Sequence, residues 1–245
     1  MRLFILQSKA ELVRVLRNRY YIFWSLLIPI LFYFLFTRLV NRNIPNASEW
    51  QAHYLMSMAA FSVMGSAIMS LGIRLVSEHA NGWSTYMRLT PLSSQTFFLA
   101  KMSGQIFIHI LSVVVIFIAG FVINGVSLDA WQWLTSGLWL IAGSIPFLAI
   151  GTLIGCIKKI DTASGFSNLL YLLLAMAGGM WTPIDQMPAI VKKIAEWLPS
   201  YHYGNGAWEI IRGRMPEWSS IYILIGYLFL FMILSSYIKK RQDAI

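Results

Sequence analysis

Six stretches of this chain carry no charged side chain, and each is long enough to cross a lipid bilayer. They cover residues 20–37, 50–73, 102–128, 130–157, 162–184 and 218–238. A helix rises about 1.5 Å per residue, so roughly 20 apolar residues match the hydrocarbon core of a membrane. The longest remaining charge-free gaps, 89–100 and 197–208, hold only 12 residues each. The pattern therefore predicts an all-α membrane protein with six transmembrane helices.

The composition leaves little chain for anything else. Hydrophobic residues make up 58% of the chain and charged residues 12%, about half the charged share of a soluble domain. We expect residues 1–245 to form one transmembrane domain. Its spans are predicted at about 21–38, 53–73, 102–124, 134–157, 163–183 and 218–238.

The net charge of +9 falls on one side of the predicted membrane. If the N-terminus is inside, the inner segments hold 13 basic and four acidic residues, whereas the outer segments hold six of each. The positive-inside rule then places both termini in the cytoplasm. We interpret the basic excess as topology and contact with the lipid bilayer, and we expect no nucleic-acid partner.

Residues 1–20 are predicted to form an amphipathic helix on the cytoplasmic membrane face. Leu6, Ala10, Val13, Leu16 and Tyr20 recur at spacings of three and four, with polar residues opposite. A frayed basic tail that only sets the topology is the alternative.

The connector over residues 74–101 is predicted to be a cytoplasmic loop, too long for a turn and too polar to span. Trp83, Tyr86, Met87 and Thr90 fall on one side of a short helix that Pro91 would end. Large apolar side chains in a bare loop need a cover, which is either the membrane or a partner protein.

The outer segment over residues 183–217 predicts two half-helices that re-enter the outer leaflet before the sixth span. Apolar residues repeat at helical spacing from Met187 to Trp197, and proline punctuates the segment at Pro183, Pro188 and Pro199. A single amphipathic helix lying on the surface is the alternative. In the fourth span, Gly151 and Gly155 form a GxxxG pair, which is typical of close packing between helices or between copies.

The sequence gives little support for a nucleotide-binding site, a metal site or a catalytic site in this chain. The chain has no G-x-x-x-x-G-K-[ST] phosphate loop and no Cys or His pair at metal-ligand spacing. His109, inside the third span, is the one candidate for a proton relay, so an ion-coupled carrier stays open. Residues 162–165 resemble the serine motif of rhomboid intramembrane proteases, with Ser164 as nucleophile and His202 or His109 as base. That protease is a weaker alternative.

Three stretches together resemble the membrane subunits of type-2 ABC exporters, which include drug-resistance and polysaccharide export permeases. The first is the basic amphipathic entry over residues 12–29. The second, residues 78–82 followed by 88–93 and Lys101, is similar to the family's E-x-x-x-G … L-x-x-P-[LV]-S … K segment. The third is the proline-rich outer segment from Gly178 to Tyr201. They follow in the family's order and cover nearly the whole chain.

The resemblance implies that residues 77–91 form a cytoplasmic coupling helix that docks on a separate ABC ATPase subunit. The coupling residues would be Glu78, Gly82, Trp83, Tyr86, Met87, Arg88 and Pro91. It also implies two ATPase copies, which bind the ATP and magnesium that this chain does not, and a second permease copy as a homodimer or heterodimer. The chain itself would be a transport subunit without enzymatic activity. It would export a hydrophobic or amphiphilic substrate (a drug, an antimicrobial peptide or a lipid-like molecule) through a bacterial plasma membrane.

Overall fold

The computed structural model describes residues 2–40, 46–83, 86, 89–90 and 93–243, and every regular element within them is helical. The α-helices are α1 Arg2–Arg17, α2 Arg19–Phe34, α3 Ala47–Gly65, α4 Leu71–Ala80, α5 Ser94–Asn124, α6 Ala130–Ala142, α7 Ile145–Ile154, α8 Ile160–Ala177, α9 Ala189–Ala195, α10 Pro199–Ile211 and α11 Trp218–Asp243. Two π-helical turns, Leu35–Val40 and Ser66–Ser70, continue α2 and α3, and a short 3₁₀ turn covers Ile184–Gln186.

Six helical stretches in the described residues are long and apolar enough to cross a membrane, which confirms the predicted number. These spans are Arg19–Val40, Ala47–Ala80, Gln95–Asn124, Ala130–Ile154, Ile160–Ala177 and Trp218–Gln242. Their length and composition are those of a multi-pass membrane protein.

The second and third spans extend further than the sequence predicts at their inner ends. Helix α4 runs to Ala80 and α5 begins at Ser94, so the prediction of a loop over residues 74–101 is wrong for both ends of that range. The polar residues there stay helical because their charges are paired inside the bundle. The connector shrinks to residues 81–93.

The second span forms the centre of the bundle. In its apolar 18-residue stretch 67% of the residues are buried, against 6% in that of the sixth span, which lies at the edge. It packs against α2, α5, α7 and α10. Small residues such as Ala59, Ala60 and Ser62 are buried in this span, and small side chains let neighbouring helices approach closely in a membrane.

The fourth span packs against the second through the GxxxG glycines. A Cβ atom at Gly151 would collide with the backbone carbonyl oxygen of Ala67, and one at Gly155 would lie 2.8 Å from the Cβ atom of Leu75. Both glycines thus lie at a helix contact within the chain. A role for them between two copies stays a prediction.

The fourth span is broken between α6 and α7, where Pro146 in the first turn of α7 lacks a backbone donor. Tyr203 of α10 fills the break, and its hydroxyl donates to the carbonyl oxygen of Leu140 at 2.7 Å. Burial raises the pKa of Tyr203 well above its ordinary value. The Tyr203 side chain therefore holds α10 against the fourth span at this break.

The outer segment before the sixth span contains two helices, α9 and α10, and its prolines lie at element starts. Pro183 precedes the 3₁₀ turn, Pro188 precedes α9, and Pro199 is the first residue of α10. Ile190 and Trp197 are about three-quarters exposed (74% and 75%), whereas α10 is largely buried against α3, α6 and α11. Re-entry of this segment into the membrane stays a prediction.

The glycine contact between the second and fourth spans generates a stability prediction. Gly151→Ala should lower the free energy of unfolding by about 1–3 kcal/mol, because the added methyl group meets backbone that cannot rotate away. Gly226→Ala in α11 is the matched control, since nothing lies within 4 Å of its Cβ position. Thermal unfolding in detergent measures both variants, and equal midpoints would contradict the described packing.

Candidate functional site

A cluster of charged side chains joins α1 to the inner ends of the second and third spans. The Lys101 ammonium donates to both carboxylate oxygens of Glu78, with Nζ–Oε distances of 2.6 and 2.7 Å. Its Nζ atom also lies 3.6 Å from Oε1 of Glu11. Arg74 Nη1 lies 3.9 Å from Oε2 of Glu11. We call Glu11, Arg74, Glu78 and Lys101 the charge cluster.

The charge cluster is buried. Lys101 is 0% exposed, Glu11 2% and Glu78 6%. An unpaired ion at such a site costs several kcal/mol, and only a close opposite charge with hydrogen bonds offsets that cost. Two carboxylates face two cations within the cluster, and the half-exposed Arg14 adds a third cation on Glu78 at its edge. This pairing explains how α4 and α5 carry charges inside the bundle.

Gln105 extends the charge cluster toward the middle of the bundle. Its side-chain amide donates to the carbonyl oxygen and to the hydroxyl of Ser66, at 3.0 and 2.7 Å. Its Oε1 atom accepts a hydrogen bond from Arg74 Nη2 at 3.4 Å. The Tyr21 hydroxyl donates to the same Ser66 hydroxyl at 3.3 Å. The first three spans are therefore linked by one polar network.

Helix α1 is seated on α5 by the face that carries Glu11. The hydroxyl of Ser103 donates to that of Ser8 at 3.0 Å, and Val15 is buried at the same contact face of α1. A Cβ atom at Gly104 would lie only 3.3 Å from the Cβ atom of Glu11, so a glycine there favours the close approach. The predicted N-terminal helix thus has one polar face fixed against the bundle.

Arg14 connects the charge cluster to the connector. Its Nη1 atom lies 2.7 Å from Oε1 of Glu78, and its guanidinium carbon lies 5.7 Å from the centroid of the Trp83 ring. A cation over an indole face is attracted by the ring's electron density. Between Glu78 and Trp83 the chain turns at Gly82, whose φ of +68° is a left-handed conformation that glycine adopts without strain.

The connector presents large apolar side chains at the surface of the protein. Trp83 is 42% exposed, Tyr86 66% and Leu89 81%. Glu78, also predicted as a coupling residue, is instead buried in the charge cluster. Three further predicted coupling residues, Met87, Arg88 and Pro91, lie outside the described residues.

Sequence reasoning missed the charge cluster as a unit. Taken singly, Arg74, Glu78 and Lys101 indicate the borders of a loop, and Glu11 indicates the polar face of α1. Two signals were present in the sequence. Arg74 and Glu78 are spaced four residues apart, as in a helical ion pair, and Glu11 is the one acidic residue among the basic residues of the first 20.

The histidines considered as catalytic or proton-carrying groups are bonded to residues other than Ser164. His109 Nδ1 lies 2.9 Å from the hydroxyl of Ser144, and His202 Nδ1 lies 3.0 Å from the hydroxyl of Ser220. A serine protease needs its histidine hydrogen-bonded to the nucleophile, an arrangement the described residues do not contain. The described residues also contain no group of three His, Cys, Asp or Glu side chains that could hold a metal ion.

Six apolar spans, the first three of them linked by a buried polar network, define a multi-pass helical membrane protein. The family described as "ABC-2 family transporter protein" matches residues 37–237. A Bacillus subtilis (strain 168) protein named "Putative transport permease YvfS" is 54% identical over 239 residues, which cover 98% of each chain. This chain belongs to the ABC-2 transporter family, which confirms the resemblance seen in the sequence. As a permease of that family it is a transport subunit.

The charge cluster generates a prediction about stability. Lys101→Met should lower the free energy of unfolding by about 3 kcal/mol, because it leaves a buried carboxylate without its closest partner. Adding Glu78→Gln should restore part of that loss, since Glu11 keeps Arg74 as a partner. Chemical unfolding in detergent of both single variants and the double variant gives the coupling energy. Additive losses would show that the two side chains do not interact.

Proposed function

We propose that this chain is the permease subunit of an ATP-driven exporter in a bacterial plasma membrane, with both termini in the cytoplasm. Two copies of a separate ABC ATPase subunit bind ATP and magnesium, and a second permease copy completes the translocation path. Membership of the ABC-2 family supports an ATPase partner in general terms. The 13 basic and four acidic residues of the predicted inner segments support the orientation.

The exposed apolar residues of the connector carry this proposal. Trp83, Tyr86 and Leu89 are exposed at the surface next to charged helix ends. In the proposed orientation they belong to a cytoplasmic loop, which the lipid tails do not reach. Aromatic side chains that enter a pocket of a partner are the commonest anchors of protein interfaces. In the proposed coupling segment over residues 77–91, α4 ends at Ala80, and the residues after the Gly82 turn would place these anchors in a groove of the ATPase.

The charge cluster supports a mechanical route from this docking surface to the spans. Trp83 lies against Arg14, Arg14 binds Glu78, and Glu78 binds Lys101. A displacement of the connector would therefore pull on α1, α4 and α5 together. Separating a buried ion pair is costly, so the three helices should move as one body. Closure of the ATPase subunits on ATP would tilt that body and open the path between the permease copies.

The six charge-free intervals of the spans favour a hydrophobic or amphiphilic substrate that enters from the lipid, such as a drug, an antimicrobial peptide or a lipid-like molecule. An ion-coupled carrier is less well supported, because His109 is bonded to the hydroxyl of Ser144 and not to a carboxylate.

Substitution of the proposed anchor tests the function. Trp83→Asp should weaken binding of the ATPase subunit about 30-fold or more and abolish ATP-driven transport, because a charge cannot enter an apolar pocket. Trp197→Asp, which changes an exposed tryptophan of the outer segment, should leave both properties intact. The measurements are co-purification with the ATPase subunit and transport in proteoliposomes.

Two results would overturn the proposal. One is normal ATPase binding and transport by Trp83→Asp protein that is made and folded like the unsubstituted chain. The other is hydrolysis of ATP by the purified permease alone.

A further inference from the structure

Three cations on α1 and at the start of the first span have no carboxylate partner within the described part of the chain. Lys9, Arg17 and Arg19 are exposed, and none of them forms an ion pair with any described residue. Arg14 differs from these three cations, because it binds Glu78 at the edge of the charge cluster. The outward cations are therefore accessible to an anionic group from outside the chain.

These cations share their surface with apolar side chains. A shallow groove along the outward face of α1 is lined by Leu6, Lys9, Ala10, Val13, Arg14 and Arg17. Leu6 is 56% exposed and Val13 46%, whereas the opposite face of α1 packs on α5. Basic and apolar groups on one helix face are typical of a helix at the boundary between lipid headgroups and acyl chains.

A second groove begins at the cations and continues along the first span. It is lined by Leu16, Arg19, Ile22, Phe23, Leu26, Leu27 and Ile30. A helix rises about 16 Å between residues 19 and 30, which is close to half of the roughly 30 Å hydrocarbon core. This groove is charged at one end and apolar over about the depth of one leaflet.

We propose that Lys9, Arg17, Arg19 and the groove of the first span form a binding site for an anionic phospholipid. The two guanidinium groups would donate to the phosphate oxygens, whose geometry matches the planar fork of N–H groups. The acyl chain would lie in the groove between Ile22 and Ile30. One molecule would then supply an anionic group for the two guanidinium groups, with Lys9 adding to the positive field, and an apolar chain for the groove.

A second copy of the chain fits this surface less well. In a two-fold interface the same patch faces itself, so the unpaired cations of one copy would approach those of the other. Like charges without a counterion oppose such a contact. The phospholipid has the complementary charge and shape.

The test measures lipid binding to the purified full chain by native mass spectrometry. Dioleoylphosphatidylglycerol should be retained in preference to dioleoylphosphatidylcholine. The variant Lys9→Gln/Arg17→Gln/Arg19→Gln should bind phosphatidylglycerol on the order of 100-fold more weakly at low salt. The control Lys239→Gln/Lys240→Gln/Arg241→Gln removes the same charge from the end of α11 and should bind it normally.

A second variant tests the groove without changing any charge. Leu26→Trp should fill the groove and reduce phosphatidylglycerol retention at least several-fold, whereas Leu230→Trp on the exposed surface of the sixth span should not. Equal losses in the two triple variants would overturn the proposal in favour of diffuse attraction. Unchanged phosphatidylglycerol retention by the Leu26→Trp variant would also overturn the proposal. This holds even if that variant no longer assembles with a second copy or with the ATPase.

Discussion

The buried pairing of Lys101 with Glu78 is the contact on which the end of the bundle next to the connector depends. It lets two long helices carry charge into the bundle, and through Glu11 it holds the N-terminal helix against the third span. Without the pairing, each of these ions would cost several kcal/mol to bury, and the helix ends would separate toward water. The closely spaced glycines and small residues of the second and fourth spans then pack a bundle whose inner end is already fixed.

The same cluster places charged side chains beside the connector. The connector is the surface that an ATPase partner of an ABC-2 transporter would contact. Arg14 is half-exposed and contacts both Glu78 and the ring of Trp83, so it joins the buried ions to the exposed anchors. The exposed cations on the other side of α1 are those of the proposed phospholipid site. Under that proposal, one short helix contacts the bundle by one face and the membrane by the other.

The number of spans was predictable because a charge-free interval of about 20 residues has few alternatives to a membrane helix. The inner ends of the second and third spans were not, because Arg74 and Lys101 taken singly are typical of a loop border. Their partners lie on other helices, and a pairing such as Lys101 with Glu11 is a property of the fold. The break in the fourth span has a local signal at Pro146, yet its filling by Tyr203 from α10 is also a long-range contact. The connector was predictable from its apolar residues, whereas its link to the interior through Arg14 could not be derived from spacing.

Disulfide crosslinking of α1 to α5 tests most directly whether the charge cluster holds these helices together. Ser8→Cys and Ser103→Cys would be combined with Cys156→Ser, because the two hydroxyl oxygens lie 3.0 Å apart. The account predicts rapid crosslinking in native membranes and clearly slower crosslinking when Lys101→Met is added, since α1 then loses its buried counterion. No crosslink, or a crosslinking rate that Lys101→Met leaves unchanged, would contradict it.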